Sequence, residues 1–227
     1  MPRKRRFILP NIPHHAIQRG NNRQDVYFDQ EDRDYYFRFL HLESSRNRVR
    51  IGAYCLMTNH IHLLLYPEDA TGLVRMMKSV SQNYTQYANK KYHRSGKLWE
   101  NRYKLHLVDP DRQWWLARYI EKNPLRARMV EQAEHYPYSS ARGHLLGEED
   151  KILSYDILGA FRDRFRKFFE EISSEEESEL RRLREVIQQE KAFGGQEFLE
   201  KIQTIFGFDF ELKERGRPKR NELSTNK

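Results

Sequence analysis

Two histidines one residue apart, His60 and His62, stand in the run Met57-Thr58-Asn59-His60-Ile61-His62-Leu63-Leu64-Leu65. β-branched and apolar residues dominate this run and no helical spacing fits it, so it reads as a strand. Side chains on a strand alternate between faces, which aims both imidazoles one way and turns Ile61 and Leu63 the other. Two neutral imidazoles on one rigid strand make two-thirds of a metal site. Candidates for the rest lie in Trp114-Trp115-Leu116-Ala117-Arg118-Tyr119-Ile120-Glu121-Lys122-Asn123-Pro124, which reads as the end of a helix. Tyr119 and Asn123 are four apart, so they share a helical face, roughly 6 Å apart along the axis. A phenol nucleophile and an amide carbonyl ligand so spaced can address one metal-bound phosphate. Pro124 disfavours a helical conformation at Asn123, which sets the amide at a frayed helix end.

The residue types suit phosphodiester chemistry. The diester is anionic and repels nucleophiles. A divalent ion ligated by His60, His62 and the Asn123 carbonyl would polarise the scissile phosphate as a Lewis acid. Nitrogen and oxygen ligands without thiolate suit Mg²⁺ or Mn²⁺. Tyr119, once deprotonated, would attack in line to give a 5′-phosphotyrosine and a 3′-hydroxyl, conserving the bond energy for rejoining. Tyr84, Tyr87 and Tyr92 compete as nucleophiles. Tyr84 and Tyr87, three apart on one helix, also suit core packing or base stacking. Their i+4 neighbours, Ala88 and Lys91, complete no metal site.

The elements that must position these groups follow from capping and periodicity. His14 to Arg19 reads as a first strand, followed by the turn-prone Gly20-Asn21-Asn22. Asp29 or Asp32 can cap a helix over 31–46, with Tyr36, Phe39, Leu40 and Glu43 at helical spacing and the apolar ones facing inward. Strands are expected over 49–57 and 60–66. Thr71 can cap a long helix over 72–92, closed by Ser95-Gly96. A fourth strand over 97–108 and a helix over 111–122 complete the set. The order strand-helix-strand-strand-helix-strand matches a split β-α-β unit. The fold class expected is α+β, a ferredoxin-like antiparallel sheet with helices on one face, plus a C-terminal helical extension. The charge turns acidic at Gly147-Glu148-Glu149-Asp150. The expected division is therefore 1–147 as a catalytic domain, 148–212 as a helical region and 213–227 as a basic, flexible tail. Helices are expected over 161–172, 175–191 and 197–206. Trp114 and Trp115 read as packing anchors.

The chain of 227 residues holds 41 Lys+Arg against 33 Asp+Glu, a net +8, and such an excess suits a polyanionic partner. Arg102 and Lys104, two apart, share a strand face suited to backbone phosphate, with Glu100 beside them to pair or to assist the metal. Arg3, Lys4, Arg5 and Arg6 form a basic N-terminus that adds affinity or reads a guide sequence. The tail Lys213-Glu214-Arg215-Gly216-Arg217-Pro218-Lys219-Arg220 resembles an AT-hook. Gly216 would let the backbone descend into a narrow minor groove while Arg215 and Arg217 follow its negative potential, with Lys219 and Arg220 beyond. A generic basic tail is the alternative. Glu170, Glu171 and Glu175 to Glu177 read as a solvated face, or as a mask for the DNA surface. Cys55 is the only cysteine, placed in an apolar run, so its role is packing, and a reducing compartment is expected. No apolar stretch approaches the roughly 18 residues of a membrane span. The basic N-terminus has no signal-type apolar region behind it. The expectation is a cytoplasmic protein.

The stretches His15-Ala16-Ile17-Gln18-Arg19-Gly20-Asn21-Asn22-Arg23, Ala53-Tyr54-Cys55-Leu56-Met57-Thr58-Asn59-His60-Ile61-His62, Gly96-Lys97-Leu98-Trp99-Glu100-Asn101-Arg102-Tyr103-Lys104 and Tyr119-Ile120-Glu121-Lys122-Asn123-Pro124 resemble the REP-associated tyrosine transposases. These are single-tyrosine, HUH-type transposases of single-stranded DNA. The resemblance runs in order from about residue 13 to 147, and Pro137-Tyr138-Ser139-Ser140 fits it too. It implies a ferredoxin-like palm, metal held by the two histidines and a nucleophile at Tyr119. Asn123 matches the third-ligand position by spacing, and Arg19 falls in a motif expected to touch DNA. The implied substrates are imperfect palindromic hairpins, cut and joined as single strands, with either a monomer or a homodimer acting. A rolling-circle initiator or relaxase shares the His-x-His logic, but no helicase-type phosphate loop is present. A noncatalytic hairpin-binding protein with the same fold is the third reading.

Overall fold

Four antiparallel strands carry the site: β1 (His14–Arg19), β2 (Val49–Leu56), β3 (His60–Pro67) and β4 (Lys104–Leu107), in the spatial order β2-β3-β1-β4. The computed structural model describes residues 6–171 and 176–212. Arg3, Lys4, Arg5 and the tail residues Arg215, Arg217, Lys219 and Arg220 lie outside the described residues. Strands β2 and β3 form a hairpin whose turn is closed by the Met57 amide donating to the His60 carbonyl, 2.8 Å. Strand β3 then pairs with β1 on its other side, with Ile17 opposite His62 and Arg19 opposite His60. The histidine strand is therefore internal, and a register slip would move its whole apolar set to the wrong face.

Two long helices, α1 (Gln30–Arg46) and α2 (Ala70–Lys91), pack on one face, as the split β-α-β order requires. Asp29 caps α1 in a reciprocal box with Asp32, which satisfies two orphan backbone donors. Helix α2 is capped by Asp69, which accepts from the Gly72 amide at 2.7 Å, and not by Thr71, whose hydroxyl donates to Asp69. Thr71 is already inside the helix. Tyr36, Leu40, Met76, Val80 and Tyr84 meet Ile61, Leu63 and Leu65 in one buried cluster on this face.

The opposite face is covered as well. Helix α3 (Gln113–Glu121) lies there, preceded by a short 3-10 turn over Pro110–Arg112 and followed by the single turn α4 (Asn123–Arg126). Helices α5 (Ala141–Leu146), α6 (Arg162–Glu170) and α7 (Glu176–Gln189) complete this layer, and α8 (Gln196–Phe206) follows. Leu116, Ala117 and Ile120 of α3 share a cluster with Leu64 and Tyr66 of β3, and with Phe165, Leu183 and Val186 from the C-terminal helices. The helical extension and the sheet therefore share apolar surface. Phe7 near the N-terminus packs against Phe206, Phe208 and Phe210.

The fourth strand is shorter than the sequence suggests. Only 104–107 joins the ladder, while Trp99 makes an isolated bridge with Gly20. The Glu100 amide still donates to the Arg19 carbonyl at 2.9 Å, after which residues 101–103 leave the sheet. Gly20 is required at this crossing, since a Cβ there would lie 2.2 Å from the Gln24 carbonyl oxygen.

Candidate active site

Strand alternation places His60 and His62 on the α3 side of the sheet, their ring centroids 5.0 Å apart and their planes at 81°. Each imidazole is held by a neighbour at Nδ1. His60 Nδ1 lies 2.6 Å from Asn59 Oδ1, and because that amide oxygen can only accept, His60 must donate there. His62 Nδ1 lies 2.9 Å from Nε2 of buried His15. When His62 donates in this pair, its Nε2 keeps a lone pair for a ligand; the opposite tautomer would remove it. His15 then carries its proton on Nδ1, a buried atom with no hydrogen-bond partner among the described residues. His106, paired across from His15, donates Nδ1 to the Lys191 carbonyl at 3.1 Å, leaving its Nε2 as a second buried orphan.

Burial and the nearby Arg19 charge push His60 down to about 4. Burial, and then its histidine neighbours, hold His62 well below the usual histidine range. Both are neutral near pH 7, the form that ligates metal.

Tyr119 comes from α3, packed across the sheet, with its ring centroid 5.6 Å from that of His62 and nearly perpendicular to it, 88°. The ring is half-buried. On one side Trp115 lies parallel to it, while Arg126 sits over it with its guanidinium carbon 4.6 Å from the centroid. Arg126 also donates to the Tyr119 carbonyl. Burial raises the phenol's pKa, and the charges of Arg126, Arg184 and Arg19 oppose that rise. Helix α3 is anchored beneath the tyrosine by fully buried Glu121, which accepts from Ser140 Oγ at 2.5 Å and meets His144 Nδ1 at 2.6 Å.

Asn123 is not a frayed end of α3: that helix stops at Glu121, and Asn123 opens the single turn α4. Its Nδ2 donates to the Tyr119 carbonyl at 2.9 Å and the Ile120 carbonyl at 3.0 Å. Both amide hydrogens are thus spent on the last turn of α3, which leaves Oδ1 as an acceptor. No group of three or more His, Cys, Asp or Glu side chains arranged for a metal occurs among the described residues. Two imidazoles and one amide oxygen nevertheless form a thiolate-free nitrogen and oxygen set, consistent with a hard divalent ion.

These groups open into one cavity of about 550 Å³, lined by Ile17, Arg19, His60, His62, Glu100, Asn101, Arg102, Lys104, Tyr119, Asn123, Arg184 and Ile187. Of the residues expected from sequence, His60, His62, Tyr119, Asn123, Arg19, Arg102 and Lys104 meet here, as does Glu100. Asn101 and Arg102 both line the cavity because residues 101–103 have left the ladder and strand alternation no longer applies. Arg6 lies elsewhere. It donates to the Tyr103 carbonyl at 3.1 Å and stacks on that ring, in a second cavity with Trp99 and Gln18.

The rival tyrosines are on the far side of the sheet. Tyr84 is fully buried and donates to the Val26 carbonyl at 2.5 Å; Tyr87 stacks on Tyr35 with centroids 3.8 Å apart. Tyr92 donates to Asp32 at 2.8 Å. Trp114 donates to the Ile157 carbonyl at 2.7 Å, a packing anchor as expected. Cys55 is buried in the core and burial raises its thiol pKa. Glu176 is not simply solvated, for it pairs with Arg118 at 2.8 Å.

Sequence reasoning missed His15, Arg126 and Arg184. The strand period and a known register would have shown His15 behind His62. Arg126 is seven residues from Tyr119, two helical turns on, but the break between α3 and α4 hides that relation. Nothing in the sequence connects Arg184 to this cavity.

A family model described as "Transposase IS200 like" matches residues 9–123, a stretch that contains both histidines, Tyr119 and Asn123. The chain belongs to the IS200-like transposases. Membership implies cleavage and transfer of DNA strands. Among solved structures, this IS200-like transposase is similar to a REP-associated tyrosine transposase bound to a REP hairpin. The TM-score is 0.54 and the identity 17%, over 69% of this chain and 93% of that one. That likeness establishes the fold. A candidate transposase from Deinococcus radiodurans gives a TM-score of 0.37 at 22% identity, over 54% of this chain and 97% of that one. No curated protein sequence matches the transposase. No helix among the described residues is long and apolar enough to cross a membrane.

Proposed function

We propose that this IS200-like transposase cuts and rejoins single-stranded DNA bearing REP-like hairpins, through a 5′-phosphotyrosine formed on Tyr119. The observation that carries the reading is the convergence of Tyr119 and His62, 5.6 Å apart by ring centroid, in one basic cavity, while Tyr84, Tyr87 and Tyr92 face away. His60, His62 and Asn123 would hold Mg²⁺ or Mn²⁺. Such an ion, when bound, supplies Lewis-acid polarisation of the phosphate.

The residues of the chain do the remainder. Asn59 holds His60 in the tautomer that keeps Nε2 open, and His62 has the same tautomer when it donates to His15. Arg126, seated over the ring, and Arg19 favour the phenolate. Tyr119 Oη forms a bond to phosphorus as the P–O3′ bond breaks. The phenolic proton passes to solvent in the open cavity, and the departing 3′ oxygen takes up a proton. Reversal of the same steps with a new 3′-hydroxyl rejoins the strand. Arg19, Arg102 and Lys104 line the path for the DNA backbone, with Arg6, Arg3, Lys4, Arg5 and the basic tail adding affinity beyond it. Residues 1–147 supply the HUH-type chemistry, 148–212 a helical cover and 213–227 a basic tail. Hairpin DNA as partner is suggested by the structural neighbour, whose described ligand is a REP hairpin.

The test is incubation of a labelled hairpin oligonucleotide with Mn²⁺, followed by a denaturing gel. Wild type leaves a covalent protein–DNA adduct and Tyr119→Phe leaves none. Tight hairpin binding without any adduct from wild type would favour a noncatalytic binding protein.

A further inference from the structure

The catalytic cavity has one wall that the family match does not reach. Helix α7 lies beyond residue 123, yet its Arg184 and Ile187 line the same cavity as His60, His62 and Tyr119. The two residues are three apart and so share a helical face. Leu183 and Val186, on the neighbouring face, are buried in the cluster with α3 and β3. Burial of such side chains outweighs partly exposed ion pairs, so α7 is seated chiefly by its apolar face. Ion pairs fix its position along α3, Glu176 to Arg118 at 2.8 Å and Glu179 to Arg112 at 3.7 Å. At its other end the Ile187 carbonyl accepts from Lys104 Nζ of β4 at 3.2 Å.

The cations around the cavity are not equivalent. Arg126 is committed to the Tyr119 carbonyl and ring. Lys104 is tied to α7. Arg184 is exposed, and among the described residues it makes no hydrogen bond or ion pair, although its charge acts on the phenol of Tyr119. A guanidinium held on a fixed helix beside a nucleophile, with all its donors unspent, matches the forked geometry of a phosphate.

We propose that Arg184 of α7 contacts the scissile phosphate, making the C-terminal extension part of the catalytic machinery. The assignment rests on the reading of Tyr119 as nucleophile. Arg184 grips a non-bridging oxygen from the wall opposite the sheet and stabilises the charge that grows there as the phenolate attacks.

The cleavage site is first mapped from the wild-type adduct. Binding is then measured in the uncleaving Tyr119→Phe background, with Mn²⁺, on two hairpin oligonucleotides. One carries an ordinary phosphodiester at the mapped site and the other a neutral methylphosphonate. Adding Arg184→Ala should weaken binding of the phosphodiester about tenfold and of the methylphosphonate less than about twofold. Arg184→Lys, which keeps the charge without the fork, should recover part of the loss. An equal loss on both strands, or no loss on either, overturns the contact while leaving the Tyr119 reading intact. Failure of the wild type to form any adduct would overturn that reading, and this assignment with it.

Discussion

The two faces of the sheet are made from the same strands and do different work. Along β3, Ile61, Leu63 and Leu65 enter the cluster under α1 and α2, while His60 and His62 alternate with them toward α3. The first face is closed by aromatic and aliphatic side chains, and its tyrosines are spent on core hydrogen bonds and ring packing. The second begins as a core at Leu64 and Tyr66 and becomes a polar cavity toward the β2–β3 turn. A single period-2 pattern thus separates a closed core from the proposed site within one strand. Polar groups are tolerated on the second face because each imidazole has a partner and the cavity admits water.

Paired substitutions on β3 test this division. His62→Ala should reduce strand cleavage by more than the roughly 10–100-fold that losing a supporting partner of a metal ligand costs. Its hairpin affinity should stay near wild type, since basic side chains supply most of it. Cleavage rates and filter binding on the same preparation would show the split; equal losses would break the comparison. The neighbouring Leu63→Ala should destabilise the fold by about 2–5 kcal/mol in urea unfolding, through a cavity under α1 and α2. A fully folded Leu63→Ala protein should still form the covalent adduct. The smallest effect is expected at the joint between core and site. Ser140→Ala removes the 2.5 Å hydrogen bond to buried Glu121 and should cost about 1–3 kcal/mol. It should slow cleavage severalfold by loosening α3, and a wild-type unfolding curve would contradict the anchoring role.

Much of this was legible in the chain. The ferredoxin-like order, Asp29 as one of two competent caps for α1, and the shared face of His60 and His62 all follow from local rules; that Asp32 is the reciprocal partner in a box is seen only in the structure. Tyr119 and Asn123 line one cavity, as their four-residue spacing suggests, even though the helix breaks at Lys122 between them. The rest depended on long-range contacts. Thr71 looked like a cap because Asp69 and Thr71 are both competent, and only the backbone start of α2 chooses between them. The strand over 97–108 looked continuous, but pairing with Gly20 and the departure of residues 101–103 shortened it. His15 required the β1–β3 register. Arg184 required the seating of α7, which depends on Leu183 and Val186 finding the second face and on Glu176 finding Arg118. Glutamates that read as a solvated stripe turned out to include that contact.

The central claim is that the phenol of Tyr119, and no other, reaches the phosphate held beside His60 and His62. Proteolysis of the trapped protein–DNA adduct and mass spectrometry of the nucleotide-bearing peptide test it most directly. The account predicts the nucleotide on Tyr119. A nucleotide on Tyr84 or Tyr87, on the far side of the sheet, would contradict it.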